Sequence, residues 1–291
     1  MANLKSITRR IKTASNISQI TKAMEMVAAS KMRRAQDRAL SSRPYTDRLH
    51  QIINHLEGRI DPQLHPLLQA KSAGKTLVIL LTTDKGLCGP YNTNLFRSLE
   101  TWVADTKSID LRFVTIGKKG GSYIAKTGRD LAAQFPSLPD RFAYEDTLAI
   151  SQLALDGFLK HDIKAVYLGF MRFVNTLSQQ PQFTQVLPIT QLFVPSASTP
   201  AASGTSQYLL EPSAREILDW LLPYYVELLI YQAVLNAHAS EHSARMITMK
   251  SAHDNATDIV ADLTLDYNRA RQTKITGDLL DVITARTALG D

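Results

Sequence analysis

Between Pro223 and Gly277 the chain contains neither proline nor glycine, the residues that would end or weaken a helix. The stretch Ser213 to Leu289 therefore reads as one helix. About 75 residues at ~1.5 Å each would reach roughly 110 Å, which is unstable alone in water and demands a partner along its length. Met246, Met249, His253, Ala256, Val260, Leu263, Tyr267 and Ala270 follow one another at alternating steps of three and four. That is the heptad seam of a left-handed coiled coil, made slack by its histidine, alanines and methionines. Leu4, Ile7, Ile11 and Ala14 repeat the spacing at the other end of the chain, and after one shortened step Ile17, Ile20, Met24 and Val27 do the same. The break reads as a stammer that would overwind the supercoil. Two terminal helices with matching seams let one chain close on itself as an antiparallel pair.

The texture changes between them. The first helix is expected from Asn3 to Glu57, kinked near Arg43-Pro44, with Gly58 as its C-cap and Pro62 and Pro66 in the loop beyond. Thr76 to Thr83 is a continuous apolar run of strand length, the mark of a strand buried on both faces. A glycine-containing loop (Asp84 to Pro90), a helix (Asn92 to Lys107) and a second strand (Leu111 to Gly117) follow. A short helix near Ser122–Lys126 leads into a proline-containing stretch through Asp140. Thr147 to His161 reads as an amphipathic helix burying Leu148, Leu153, Leu155, Phe158 and Leu159. Ile163 to Phe173 reads as a strand, with Phe183 to Ile189 antiparallel to it. Alternating strands and helices imply an open α/β sheet covered on its faces. Ser196 to Ser206, rich in Ser, Ala, Thr and Pro, reads as a mobile loop. The fold class expected is thus α plus α/β: a long antiparallel coiled coil of N- and C-terminal helices with an inserted open, Rossmann-like domain. The expected boundaries are 1–57, 74–195, 196–210 and 211–291.

Charge adds an asymmetry. The 291 residues carry a net +6, but residues 1–60 hold twelve bases against four acids. A basic helix suits nucleic acid, an anionic membrane or an acidic protein groove, or is simply the solvated face of a coiled coil. No run approaches the ~20 apolar residues of a membrane span. The richest stretch, Ile217 to Leu235, is interrupted by Asp219, Pro223, Glu227 and Gln232 and reads as a buried helix. The basic N-terminus lacks the apolar core of a secretory signal. One cysteine, Cys88, excludes an internal disulfide framework and suits a reducing compartment.

Candidate chemistry is thin. Gly74-Lys75-Thr76 ends like a phosphate-binding P-loop, but Gln69 stands where the first glycine belongs and the tripeptide precedes its strand. Asp84 to Gly89 sits between strand and helix yet lacks the dinucleotide-binding glycine spacing; a tight βα turn explains it. Cys88 would need a basic neighbour to act as a nucleophile. The histidines are scattered: His50, His55, His65, His161, His238, His242 and His253. His238 and His242 share a helical face without a third ligand evident nearby, so solvated or seam histidines are expected. No metal, cofactor or catalytic residue is assigned. An enzyme on the α/β portion and a coiled-coil adaptor for nucleic acid stay as alternatives to a mechanical role.

Several runs carry a resemblance. Asn3 to Lys12 (NLKSITRRIK) and Gln19 to Met32 (QITKAMEMVAASKM) are similar to the N-terminal helix of the γ subunit family of F-type ATP synthases. Asp84 to Gly89 with Asn92 resembles that family's central loop. Ala239 to Met246, Met249 to Ala252, Asp254-Asn255, Tyr267-Asn268 and Ala270 to Gln272 resemble its C-terminal helix, all in the family's order. The resemblance implies a non-catalytic central-stalk rotor without cofactors, one copy inside an α3β3 ring, touching the ε subunit and the c-ring. It implies a peripheral protein on the cytoplasmic face of the bacterial plasma membrane, reaching the membrane only through the F0 sector and binding no nucleic acid.

Residue roles follow from it in the same way. Met24 would face a β-subunit loop, with Arg245 near it on the opposing helix. Arg271, Gln272, Thr276 and Asp278 would meet the catch loops of α and β, and Lys31, Arg33 and Arg34 the acidic lever of β. Tyr208 and Glu211 would form the foot on the c-ring and ε. The sequence departs from the family's tip pattern at Ile275-Thr-Gly-Asp278, Asp281 and Thr284-Ala285-Arg286. Gly277 in a helix costs about 1 kcal/mol relative to alanine, and the departures suggest a divergent branch. Without a cysteine pair, no thiol switch is expected.

Overall fold

The computed structural model describes residues 4–56, 65–106, 110–160, 162–189, 213–288 and 290. Gly58, Pro62, His161, the 196–210 loop, Tyr208 and Glu211 lie outside them. The elements in order are α1 (Leu4–Leu56), β1 (Lys75–Leu81), α2 (Tyr91–Thr106), β2 (Leu111–Ile116), α3 (Lys118–Lys126), β3 (Asp130–Phe135), α4 (Leu148–Leu159), β4 (Ile163–Phe173), β5 (Gln179–Leu187) and α5 (Ala214–Ala288). Pro44 and Pro223 both lie inside helices that continue past them. The chain divides into two compact units: a central one, Ser30–Ala244, and a terminal one made of Met1–Ala29 with Arg245–Asp291.

The central unit is built on β1, whose residues are buried from Thr76 onward. It lies between β2 and β4, both parallel to it, in a sheet of order β3-β2-β1-β4-β5, with β5 antiparallel to β4. Alternation sends Leu77, Ile79 and Leu81 to one face and Val78 and Leu80 to the other. The first face packs α4 (Ile150, Ala154, Phe158) and α5 from Leu218 to Ala237, with Leu49 of α1. The second packs Tyr91, Leu95 and Leu99 of α2 and Ile124 of α3. The strand read as fully buried is therefore the sheet's centre, and the open α/β fold class is the one found.

Two expectations within this unit are corrected. The stretch expected as a proline-containing connection contains β3, an edge strand paired among the described residues with β2 alone, whose burial merely alternates between exposed and half-buried. Asp130-Leu-Ala-Ala-Gln-Phe135 lacks the β-branched residues that mark a strand. Leu159 is 43% exposed, because it comes a residue after the buried Phe158, off the face that Ile150, Ala154, Leu155 and Phe158 share.

Within the central unit α1 and α5 run antiparallel. The Tyr45 ring lies 6.2 Å from that of Tyr224. Earlier on α1, Lys31 reaches one oxygen of Asp140 at 2.7 Å while His242, later on α5, reaches the other at 3.1 Å. Residue numbers rise on one helix as they fall on the other.

The terminal unit carries the seam. On α5 Met249 and Ala256 are buried, and Met246, His253, Val260, Leu263, Tyr267 and Ala270 are half-buried among mostly exposed neighbours. The seam read from the C-terminal sequence is thus the buried face. On α1 the expectation fails after Ala14. Ile17, Ile20 and Val27 are 48%, 59% and 54% exposed, whereas Thr21 and Ala28 are buried. The seam passes without a break through Ile7, Ile11, Ala14, Ser18, Thr21, Glu25 and Ala28, alternating threes and fours, so there is no stammer. Polar seam residues are tolerated because each finds a partner. Ser18 Oγ lies 2.9 Å from His253 Nδ1 and 3.2 Å from Thr257 Oγ1, and Thr21 Oγ1 donates to the Ile17 and Ser18 carbonyls.

Ile79→Ala, in the sheet's fully buried centre, is expected to cost about 2–5 kcal/mol in urea unfolding. Leu159→Ala should stay within about 0.5 kcal/mol, and equal costs at both sites would contradict the packing. For Asp140, burial opposes the charged form, but the Lys31 hydrogen bond and charge, with His242 and His238, outweigh it and hold the carboxyl below its ordinary range. A depressed acid stabilises the fold above its unfolded pKa and loses that contribution as pH falls through the folded value. Asp140→Asn should therefore be less stable than the parent at neutral pH, with the gap closing below about pH 3.8. Urea midpoints measured from pH 7 down to 3 check this.

Candidate functional site

In an open α/β sheet, ligands bind outside the carboxyl ends of the strands where the chain reverses direction across the sheet. Here β1 leads outward to β2 and β3, and the chain then returns to place β4 on β1's other side. The crevice between β1 and β4 is the place to look for the enzymatic alternative.

It is filled by the protein's own helix. Tyr91 Oη, at the start of α2, donates to the Ala237 carbonyl of α5 at 3.2 Å. Ser240 donates to the Met171 carbonyl of β4 at 2.8 Å, and Ser243 to the Thr176 carbonyl just beyond it at 2.6 Å. Gln179 of β5 reaches Ser243 Oγ.

The neighbouring helix start is equally engaged. The first N–H groups of a helix are the natural anion cradle. On α3, Lys118 N–H donates to Asp84 Oδ1 at 2.8 Å, Lys119 N–H to the Thr83 carbonyl, and Gly120 N–H to Thr82 Oγ1 at 2.9 Å. Gly117 holds this turn at φ +96°, where a Cβ would stand 2.4 Å from the Thr82 carbonyl oxygen. Asp84, at the head of the Asp84–Gly89 loop, therefore serves the turn into α3. Lys75, the P-loop look-alike, pairs with Asp130 at 2.9 Å. With Arg112 it pulls that carboxyl's pKa down. Cys88 is buried against the Lys85 carbonyl and the Asn92 amide.

The residues assigned through resemblance lie elsewhere. Met24 and Arg245 are half-buried on opposite helices of the terminal unit, and the register set by Ser18 and His253 puts Ile247 across from Met24. Arg271, Gln272, Thr276 and Asp278 are all exposed on α5; Thr276 Oγ1 merely donates to the Gln272 carbonyl of its own helix. In the central unit Arg33 and Arg34 are exposed, and Lys31 is paired with Asp140. Among these residues the geometry brings together no acid–base pair or nucleophile.

Sequence reasoning missed two features. From Arg271 to Thr287 every residue of α5 except Gly277 is exposed, including Ile275, Leu279, Leu280, Val282 and Ile283. Helix length alone could not disclose that this end has no apolar cover from the chain's described residues. The second corrects the reading of the histidines: Asp140 supplies the third group that spacing did not reveal beside His238 and His242.

A sequence pattern for the family described as ATP synthase matches residues 3–289. The chain is 40% identical over 297 residues to an ATP synthase gamma chain of Methylacidiphilum infernorum, across the full length of both. It is 42% identical over 295 residues to one from Akkermansia muciniphila, covering 99% of this chain and all of the relative. The central stalk and c-ring structure of Tetrahymena thermophila mitochondrial ATP synthase contains a chain that aligns at TM-score 0.62 and 25% identity, over 80% of this chain and 99% of that one. A Euglena gracilis mitochondrial ATP synthase chain aligns at TM-score 0.68 over 98% of this chain and 94% of its own, at 17% identity, a likeness of fold alone. Sequence likeness of this extent, running from the first turns of α1 through the sheet to the last turns of α5, makes the chain a member of the ATP synthase gamma chain family.

Proposed function

We propose that this protein is the central-stalk rotor subunit of an F-type ATP synthase, and that it works without making or breaking a bond. The observation that carries the reading is the apolar end of α5, left uncovered by the described residues. A helix that exposes Ile275, Leu279, Leu280, Val282 and Ile283, the last three at 57%, 67% and 59%, is built to lie against something else. The outward Ile17, Ile20 and Val27 of α1 extend the same logic to the other helix.

The partners follow from membership of the family. The α3β3 ring would enclose the terminal helices, while ε and the c-ring would engage the part of the chain that includes Tyr208 and Glu211. Met24 and Arg245 would meet a β-subunit loop. Arg271, Gln272, Thr276 and Asp278 would meet the catch loops through exposed hydrogen-bonding groups. Arg33 and Arg34 offer exposed positive charge to an acidic lever, with Lys31 shared between that lever and Asp140. A rotor that favours one β conformation at each angle shifts nucleotide affinity by differential contact, which is all that coupling requires. No helix of the described residues is long and apolar enough to cross a membrane. Attachment at the cytoplasmic face of a bacterial plasma membrane would come through the F0 sector.

Co-expression with cognate α and β subunits is expected to yield an α3β3γ complex whose ATPase is lost when γ is omitted. A purified chain that turned over nucleotide alone would overturn the reading. Replacing Ile275 and Leu279 together by serine should leave the isolated chain's stability within about 1 kcal/mol, yet lower coupled ATP synthesis in reconstituted membranes. Reversing Arg33 and Arg34 to glutamate should slow ATPase most at low ionic strength and progressively less as salt screens the exposed charges. A salt-independent loss would argue against an electrostatic contact.

A further inference from the structure

Asp140 lies in the connection between β3 and α4, and His238 and His242 stand one turn apart on α5. Each offers one ligand atom, and the three atoms lie within 4.8 Å of one another. We propose that Asp140, His238 and His242 form a binding site for a divalent transition-metal ion of the Zn2+ class.

The donor set selects the ion. Imidazole nitrogen suits Zn2+ and its neighbours in the first transition row, whereas Ca2+ and Mg2+ require shells of oxygen. Around a four-coordinate Zn2+, bonds of ~2.0–2.2 Å place neighbouring ligand atoms roughly 3.3–3.5 Å apart. His242 Nε2 and Asp140 Oδ1 already stand at 3.1 Å. The other separations stay within 4.8 Å, so side-chain rotation would bring all three atoms to one ion, with water as the fourth ligand.

The surroundings hold the ligands in place. Lys31 Nζ takes Asp140 Oδ2 at 2.7 Å, which leaves Oδ1 turned to the imidazole, and Arg38 donates to the Asp140 carbonyl at 3.2 Å. His242 is 6% exposed. The Phe142 ring lies 5.1 Å from that of His238 and walls the site on that side. Partners of this kind orient a ligand and limit its rotamers. Lys31 also sets a limit, since its charge offsets that of the carboxylate, so the imidazole nitrogens carry the affinity. A bound ion would fasten the β3–α4 connection to α5, two segments about a hundred residues apart in sequence, and so stabilise the folded state.

The test is a titration of the metal-free full-length chain with Zn2+, and with Co2+ as a spectroscopic probe. Expected are one saturable equivalent, the intense visible bands of four-coordinate Co2+, no competition from excess Mg2+, and a thermal midpoint that rises with Zn2+. His238→Gln and Asp140→Asn should each weaken binding at least about tenfold, the lower end of what losing even a supporting partner costs, and abolish the thermal shift. His238→Gln is the cleaner variant because His238 is only half-buried; unchanged far-ultraviolet circular dichroism would confirm its fold. Absence of saturable binding by the parent chain overturns the proposal. So does undiminished binding with the same bands in His238→Gln, which would place the ion on other histidines.

Discussion

The close approach of α1 and α5 in the terminal unit is the constraint on which the rest depends. Beyond Ile7 and Ile11 its seam runs through Ala14, Ser18, Thr21, Glu25 and Ala28 on one helix and Met249, His253 and Ala256 on the other. Small side chains bring backbones together but remove little apolar surface from water. Burying a leucine or isoleucine instead would contribute about 1.5–3 kcal/mol each. The pair is therefore held by modest forces and by the hydrogen bonds that make its polar seam residues tolerable, Ser18 with His253 above all. What this arrangement frees is Ile17, Ile20 and Val27, which a tighter zipper would have consumed, and which remain turned outward for a partner.

That trade explains what could be read from the letters. On α5 the seam was legible because Met246, Met249, Val260, Leu263 and Tyr267 are both large apolar residues at seam spacing and buried or half-buried among mostly exposed neighbours. On α1 the same rule held for Ile7 and Ile11 and misled beyond Ala14: Ile17 and Ile20 belong to the surface, and the seam there is small and polar. Hydrophobic periodicity identifies a face that avoids water, but not whether the cover comes from the same chain. The sheet was legible at its centre, where β1 has apolar neighbours on both faces, and illegible at β3, an edge strand of alanine and polar residues. The proposed contact residues rest on family likeness alone, because nothing in the local chemistry of Arg271 or Thr276 distinguishes a contact from a solvated side chain. Asp140 escaped notice for another reason: it comes 102 residues before His242 and meets it only through the fold.

The α/β portion has the doubly wound strand order found in nucleotide-binding domains. A doubly wound sheet supplies a crevice where the strand order reverses, and what occupies that crevice decides the function. Here Ser240 and Ser243 of α5 hydrogen-bond to backbone carbonyls at the end of β4 and just past it, and Tyr91 holds α5 from the side of α2. The α3 N-terminus spends its donors on Asp84, Thr83 and Thr82. For a phosphate to bind there, at least one of those charge-assisted or buried bonds would have to break, leaving a polar group unsatisfied at a cost of about 1–3 kcal/mol. The same bonds give α5 fixed attachment to the sheet within the central unit. A rotor helix free to slide or turn about its own axis would transmit no torque, and these bonds oppose both motions within the central unit. The crevice that in other proteins grips a nucleotide here grips that helix.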